Sequence, residues 1–270
     1  MVNFKIKDKY TFEDFVRLVT VLRDPDEGCP WDKVQTHESI RQNFLEETYE
    51  VLDAIDKKDK ALLQEELGDV LLQVLLHTEM EREQKTFEID DVISGICKKL
   101  VLRHPHIFGD ITANDCDTVL KNWEDIKRQE KSQKSGTDAV NDVPRSLPAL
   151  MRSQKVQKRA GYVGFDYDGV DGAISELESE LAELKTAISE NTNIDEEIGD
   201  LIFSAVNVAR FLKVDSEQAT EKACNKFIGR FTIVENLANE RGISLKDAEL
   251  EELNKLWDEA KKVYHAGNCN

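Results

Sequence analysis

Long uncharged hydrophobic runs are missing from this 270-residue sequence. None approaches the roughly 20 residues that a membrane-spanning helix needs, and nothing near the first residue reads as a signal peptide. Proline is scarce, with five, and the alternating β-branched segments of a sheet protein are hard to find. The five cysteines (Cys29, Cys97, Cys116, Cys224 and Cys269) are odd in number, scattered and without a C-x-x-C pair, which predicts reduced thiols in a cytoplasmic protein. Positive charge is short as well. There are 36 Lys and Arg against 54 Asp and Glu, a formal net charge of −18. A phosphate backbone or anionic bilayer needs basic neutralisation, so nucleic acid and membrane are excluded as partners. If the ligand is a polyphosphate, a divalent metal must supply the positive charge.

Two further absences narrow the chemistry. There is no GxxxxGK[ST] loop and no GxGxxG turn, so any nucleotide is held by something other than a Gly-rich loop. None of the five histidines (His37, His77, His104, His106, His265) follows a glutamate by three positions, which removes the Glu-x-x-His signature of a di-iron carboxylate bundle. His104-Pro105-His106 stands alone, without a cysteine or second histidine pair at zinc spacing.

What is present is helical: 40% hydrophobic and 33% charged residues, with strong start and stop signals. The pattern predicts an all-α fold. Thr11 and Asp14 form a capping box, and Asp24-Pro25 stops the helix that follows. Thr36 is positioned to cap a helix from about His37 to Lys57, and Asp59 the next, from about Lys60 to Gln84. Another begins near Asp90 and stops at "RHPH", and a further one carries Trp123. In the second half, Asp171 precedes a helix through Glu190. Asn193 with Glu196 suggests a capping box for a helix through about Leu212. Ser216 opens a long helix, and Ser244 with Asp247 suggests the cap of the last. The polar, proline-containing stretch from Lys131 to Pro148 reads as a linker, dividing the chain into modules at 1–130 and 149–270.

These modules look like an internal repeat. "ELGD" at Glu66–Asp69 matches "EIGD" at Glu197–Asp200. "ICKKLVLR" ending at Arg103 matches "ACNKFIGR" ending at Arg230, and "WEDIK" from Trp123 matches "WDEAK" from Trp257. Three matches in one order indicate duplication of a helical module. Each copy repeats an acidic pattern. Glu47 and Glu50 are one turn apart on one helix, and Glu66 and Asp69 on the next. The connection is short, so the helices run antiparallel and four carboxylates converge. Glu180 and Glu183 face Glu197 and Asp200 in the same way. An i, i+3 acidic pair is ordinarily solvated surface. Here the helix continues as "VLLQVLL", apolar almost all round, which predicts burial. Acids converging there repel one another unless a cation sits among them, and hard oxygen donors suit Mg²⁺ or Mn²⁺.

Gly68 and Gly199 occupy matching places in these helices, at a cost of roughly 1 kcal/mol each against alanine. Close helix packing and room for a metal or ligand are the two readings. Lys99 with Arg103, and Lys226 with Arg230, are i, i+4 pairs able to hold a phosphate chain or to serve as ordinary ion-pair partners. Trp123 and Trp257 are core residues by default, and one of them is able to stack on a base.

"EETYE" at 46–50 with "ELGD" at 66–69, together with "LRDPDEGCPWD", "QTHESI", "RHPHIFGD" and "DVPRSLPALMRSQKVQKRA", closely resembles the MazG family of bacterial nucleoside triphosphate pyrophosphohydrolases. The resemblance covers nearly the whole chain. It implies two four-helix modules, a homodimer pairing modules across chains, and Mg²⁺-dependent hydrolysis between the α and β phosphates to a nucleoside monophosphate and pyrophosphate. Carried over by position, it implies Glu47, Glu50, Glu66 and Asp69, and Glu180, Glu183, Glu197 and Asp200, as metal ligands. Lys226, Arg230 and Trp257 would hold the nucleotide, assisted by Glu196 and Asp200. Lys99 and Arg103 correspond to the basic pair in the first module. The chemistry falls to Glu46 or Glu180, which orient the attacking water, and to Lys226 and Arg230, which stabilise departing charge. The C-terminal module is the expected site of turnover. One departure stands out: Ser179 replaces the counterpart of Glu46. Glu176 and Glu178 are nearby, off the motif spacing.

The sequence therefore predicts an enzyme that cleans or regulates the nucleotide pool. Two other readings remain open on the residues: a nucleotide-binding regulatory protein that does not hydrolyse, favoured by Ser179, and a narrow dUTP or dCTP pyrophosphatase.

Overall fold

Thr11 caps the first helix, α1 (Phe12–Leu22), through the predicted box, in which its side chain accepts from the Asp14 amide and Asp14 accepts from the Thr11 amide. The computed structural model describes residues 4–109 and 135–267, with 115, 118, 119, 122, 123, 126, 127 and 130 between them. Among the described residues the regular structure is helical and there is no strand. The chain divides into two compact units, residues 1–127 and 128–270.

In the first unit α1 is followed by α2 (Arg41–Lys57), α3 (Lys60–Glu83), α4 (Ile89–Arg103) and the short α5 (Pro105–Phe108). Lys58 takes a left-handed conformation, φ 55°, and Asp59 then caps α3 by accepting from the Ala61 and Leu62 amides. Two residues thus turn the chain back, and α2 and α3 form an antiparallel hairpin. The core gathers Val19, Ile40, Leu75, Leu76 and Met80, with Phe15, Val16, Leu72 and Ile89 against them. The long loop before α2 is tied down by Arg23, which is buried. Its guanidinium makes a two-pronged contact to Glu83 at 2.8 and 2.9 Å and donates to the Asp32 carbonyl at 2.6 Å.

The second unit holds α6 (Gly136–Asn141), α7 (Ala149–Tyr162), α8 (Val170–Glu190), α9 (Ile194–Phe211), α10 (Ser216–Arg241) and α11 (Leu250–Gly267). The α8–α9 connection is again short and left-handed, with Asn191 at φ 55° and Asn193 at φ 49°. α10 and α11 close a second hairpin around Val234, Ala238, Leu256 and Ala260.

Several boundaries differ from the sequence reading. α2 starts at Arg41, because Thr36 and Ser39 bond each other in a separate turn and Ile40 is drawn into the core. Asn193 makes no side-chain cap, since its left-handed backbone serves the turn instead. Asp215, one residue before Ser216, caps α10. Ser244 and Asp247 bond each other in a turn, and α11 begins only at Leu250. The stretch 131–148 contains α6, whereas Lys131–Lys134 lie outside the described residues. Cys29, Cys97 and Cys224 are free thiols; Cys116 and Cys269 also lie outside the described residues.

The burial expected of α3 holds in its second half. Gln73, Leu75, Leu76, Thr78, Glu79 and Met80 are buried, but Leu67 and Leu71 are exposed. Their counterparts on α9, Ile198 and Ile202, are exposed too.

Candidate active site

Helix periodicity sets Glu47 and Glu50 on one face of α2 and Glu66 and Asp69 on one face of α3, and the tight Lys58–Asp59 turn folds those faces together. Carboxylate oxygens of Glu47, Glu66 and Asp69 lie within 4.8 Å of one another. Glu50 joins through a hydrogen bond shared with Glu66. The α8–α9 hairpin builds the same arrangement, with Glu180, Glu183 and Glu197 within 4.8 Å and Asp200 acting on both Glu180 and Glu197. Six of the eight acids expected to converge therefore lie together, three in each hairpin, and Glu50 and Asp200 act on these clusters from beside them.

The electrostatics follow from this crowding. Burial holds the Glu66 carboxyl above its ordinary pKa, and the charge of Glu50 and the hydrogen bond shared with it add to that. Glu47 is raised by burial, then by Asp69 and Glu50, with a hydrogen bond from Gln73 opposing. Burial, then Asp200 and Glu183, raise Glu180. Glu197 is raised by burial, then by Glu183 and Asp200. These four carboxyls thus hold a proton more readily than an isolated carboxylate would. Oxygen ligands about 2.0–2.1 Å from one Mg²⁺ are about 3–4 Å apart. Clustered all-oxygen donors of this kind are chemically suited to a hard divalent cation.

The residues around the two sets differ. Gln73, four residues past Asp69, is buried against Glu47; the equivalent position on α9 is Ser204, also buried. Glu46 is exposed and accepts weakly from Gln42 at 3.4 Å. Its counterpart Ser179 donates to Glu183 at 3.1 Å, so the hydroxyl steadies one of the clustered carboxylates. Of its two acidic neighbours, Glu176 is the one that raises Glu180, and Glu176 is itself hydrogen-bonded to Tyr167. Tyr167 was not legible as a site residue, because it lies in the loop before α8. A faint signal is Gly172, where a Cβ would stand 3.0 Å from that of Tyr167. Gln73 had a signal, since i+4 from Asp69 is the same helix face.

The basic and aromatic residues keep other company. Arg230 donates to His265 at 3.1 Å and lies 5.6 Å from the Tyr264 ring centroid. Lys226 is exposed on the same helix. Trp257 rests against Phe227 at 5.2 Å. These contacts link α10 to α11, and the leading effects on Glu180 and Glu197 are burial and other acids. Glu196 is exposed and enters only as a neighbour of Glu197. In the first unit Lys99 is exposed, whereas Arg103 is buried with its guanidinium 5.3 Å from the Trp123 ring centroid.

Neither Gly68 nor Gly199 is required by close packing, since a Cβ at either would meet nothing within 4 Å. Alanine at each is expected to raise stability by up to about 1 kcal/mol through helix propensity, read as a higher melting temperature. At Gly199 the same change is expected to lower turnover if the open space receives ligand. A drop in melting temperature would contradict the open geometry.

The sequence profile of the MazG nucleotide pyrophosphohydrolase domain matches residues 35–108 and 170–234, the segments that contain the two carboxylate hairpins. The chain is 44% identical over 253 residues to the nucleoside triphosphate pyrophosphohydrolase of Escherichia coli K12, covering 91% of this chain and 96% of that one. It is 44% identical over 250 residues to the nucleoside triphosphate pyrophosphohydrolase/pyrophosphatase MazG of Thermotoga maritima, covering 93% and 95%. An uncharacterized Bacillus subtilis protein, YabN, shares 46% over 257 residues, which is 94% of this chain and 52% of that protein. With two profile matches and two relatives aligned over nearly their full length, the chain belongs to the MazG nucleotide pyrophosphohydrolase family.

Proposed function

We propose that this protein hydrolyses nucleoside triphosphates between the α and β phosphates, releasing a nucleoside monophosphate and pyrophosphate in a Mg²⁺-dependent reaction. The observation that carries the reading is the pair of carboxylate clusters, Glu47, Glu66 and Asp69 in one unit and Glu180, Glu183 and Glu197 in the other, each with oxygens within 4.8 Å of one another. Two relatives aligned over nearly their full length are named for this activity.

In the second unit Glu180, Glu183, Glu197 and Asp200 would hold the ion, with Mn²⁺ an acceptable substitute. A bound divalent ion neutralises phosphate oxygens and lowers the pKa of a coordinated water. Glu180 orients the attacking water, with Glu176 and Tyr167 behind it. Lys226 and Arg230 meet the charge of the departing pyrophosphate. Phe227 and Phe231, on the same helix as that basic pair, line a pocket of about 500 Å³ with Trp257, Asn254 and Lys246. That volume suits a small-molecule site; Trp257 offers a stacking face, while Asn254 offers donors and acceptors to a base edge. This pocket favours the C-terminal module as the site of turnover.

The chain acts as a homodimer. Leu67 and Leu71 on α3, and Ile198 and Ile202 on α9, leave matching apolar rows exposed beside the acidic sets, and a second copy would cover them. The free thiols suit the cytoplasm, where the reaction would limit unwanted triphosphates. A panel of standard and altered nucleoside triphosphates, dUTP and dCTP included, is expected to yield pyrophosphate and no orthophosphate when Mg²⁺ is present. Activity confined to dUTP or dCTP would mark a narrow enzyme. Nucleotide-induced thermal stabilisation without pyrophosphate would make the protein a non-hydrolysing binder, the reading that Ser179 favours.

A further inference from the structure

Much of the segment "DVPRSLPALMRSQKVQKRA" fastens α7 to its neighbours, Gln157 donating to the Phe203 carbonyl on α9 and Gln154 accepting from Ser216 at the start of α10, and its first half also frames a cavity of its own. Arg145 from the loop after α6 and Arg152 from the first turn of α7 line a pocket of about 240 Å³ with Asn141, Ser153, Val143 and Phe203. Among the described residues neither guanidinium has a hydrogen bond or ion pair. In a chain with 54 acids to 36 basic residues, acidic partners are plentiful. Four other arginines take one: Arg23 from Glu83, Arg82 from Glu79, Arg210 from Asp166 and Arg241 from Glu259. The two that share a concave wall do not.

We infer that this pocket binds a phosphate-type oxyanion. Two planar guanidinium forks can each present paired N–H donors to a tetrahedral anion, and the Ser153 hydroxyl and Asn141 amide add neutral donors. Val143 and Phe203 form a partly apolar wall beside the two arginines, which are themselves exposed and so reachable by an anion from solution. The volume falls below the roughly 300 Å³ at which pockets begin to enclose drug-sized ligands. The occupant is therefore inorganic phosphate or pyrophosphate, or the phosphate tail of a nucleotide whose base stays outside. With an overall charge of −18, the surrounding field opposes anions, so binding depends on the two arginines themselves.

The test is calorimetric titration of the full chain in EDTA with inorganic pyrophosphate, and in parallel arms with inorganic phosphate and AMP. EDTA keeps the carboxylate sets from recruiting the anion through metal. Pyrophosphate is expected to bind at one site per chain. Arg145→Gln and Arg152→Gln are each expected to weaken it at least about tenfold, while Lys226→Gln combined with Arg230→Gln leaves it unchanged. Melting curves check that the variants remain folded; Arg145→Lys and Arg152→Lys, which keep the charge and lose the fork, provide a milder loss if the glutamine forms do not fold. AMP binding as tightly as phosphate assigns the site to a nucleotide tail, and weaker AMP binding assigns it to the free anion. The inference is overturned by three results: no binding at 10 mM of any probe (about 300-fold weaker than a ~30 µM site), wild-type affinity in the Arg145/Arg152 variants, or loss of binding in the Lys226/Arg230 variant.

Discussion

Glu197→Gln in the full chain is expected to cut pyrophosphate release about a hundredfold or more, with the fold intact and the metal-free protein no less stable than wild type. Outer-shell partners of metal ligands already cost 10–100-fold when removed, so Glu197, proposed as a direct ligand, belongs at or beyond the top of that range. Glutamine keeps the shape and removes the charge. In the metal-free state that charge is a liability, because burial, Glu183 and Asp200 all push the Glu197 carboxyl toward its protonated form. Loss of turnover without loss of stability separates a functional acid from a structural one. The matching change in the first unit, Glu66→Gln, reports on the other set, where burial and Glu50 act in the same way. A steady-state assay of released pyrophosphate decides between them. If Glu66→Gln is silent and Glu197→Gln is dead, the second hairpin does the work; the reverse result moves it to the first. Full activity in both variants removes the carboxylate sets from the account.

The sequence made the carboxylate sets legible because they depend on local rules. An i, i+3 pair on each of two helices joined by a short turn has few ways to avoid converging. The turn itself was harder to read. Asn193 looked like a cap, yet it carries φ 49° and gives its side chain to no helix amide. A residue that favours caps also tolerates the left-handed region, and only the path of the neighbouring helix decides between them. Thr36 failed for a related reason: Ile40 is buried in the core, and that long-range preference delayed the start of α2.

Tertiary partners were less legible than positions. The repeat pairs Arg103 with Arg230 and Trp123 with Trp257, but the contacts diverge. Arg103 lies over Trp123, whereas Arg230 turns to His265 and Tyr264, and Trp257 meets Phe227. The space Tyr264 occupies exists because position 229 is glycine; a Cβ there would lie 2.6 Å from the Tyr264 ring. Its counterpart is Leu102, one of five positions at which the two copies of this motif differ, so the aromatic packing need not repeat. Tyr167 was invisible for a different reason, since it reaches Glu176 from a loop with no periodicity to reveal which way it faces.

Stripped of divalent metal, the protein is expected to lose stability as pH rises from the ordinary glutamate range toward 8, and Mg²⁺ is expected to restore it. Glu47, Glu66, Glu180 and Glu197 all have pKa values raised in the folded state, chiefly by burial and then by neighbouring acids. A carboxyl raised on folding holds its proton more tightly in the native state. Its contribution is fully present below the unfolded pKa and is lost as pH climbs through the folded value. The uncompensated charge then left in each set is what a cation relieves. Binding to the folded state alone adds about 2.7 kcal/mol at a hundred times Kd, a shift of several degrees in melting temperature. Because screening of the −18 net charge also stabilises, the comparison is made against NaCl at equal ionic strength. Thermal unfolding at pH 5 and pH 8, with EDTA, with NaCl and with Mg²⁺, gives the answer. The Mg²⁺ gain should be large at pH 8, small at pH 5 where protons already occupy the sets, and reduced in Glu66→Gln and Glu197→Gln. Equal gains from Mg²⁺ and NaCl at matched ionic strength would mean that the carboxylates repel one another without forming a site for an ion.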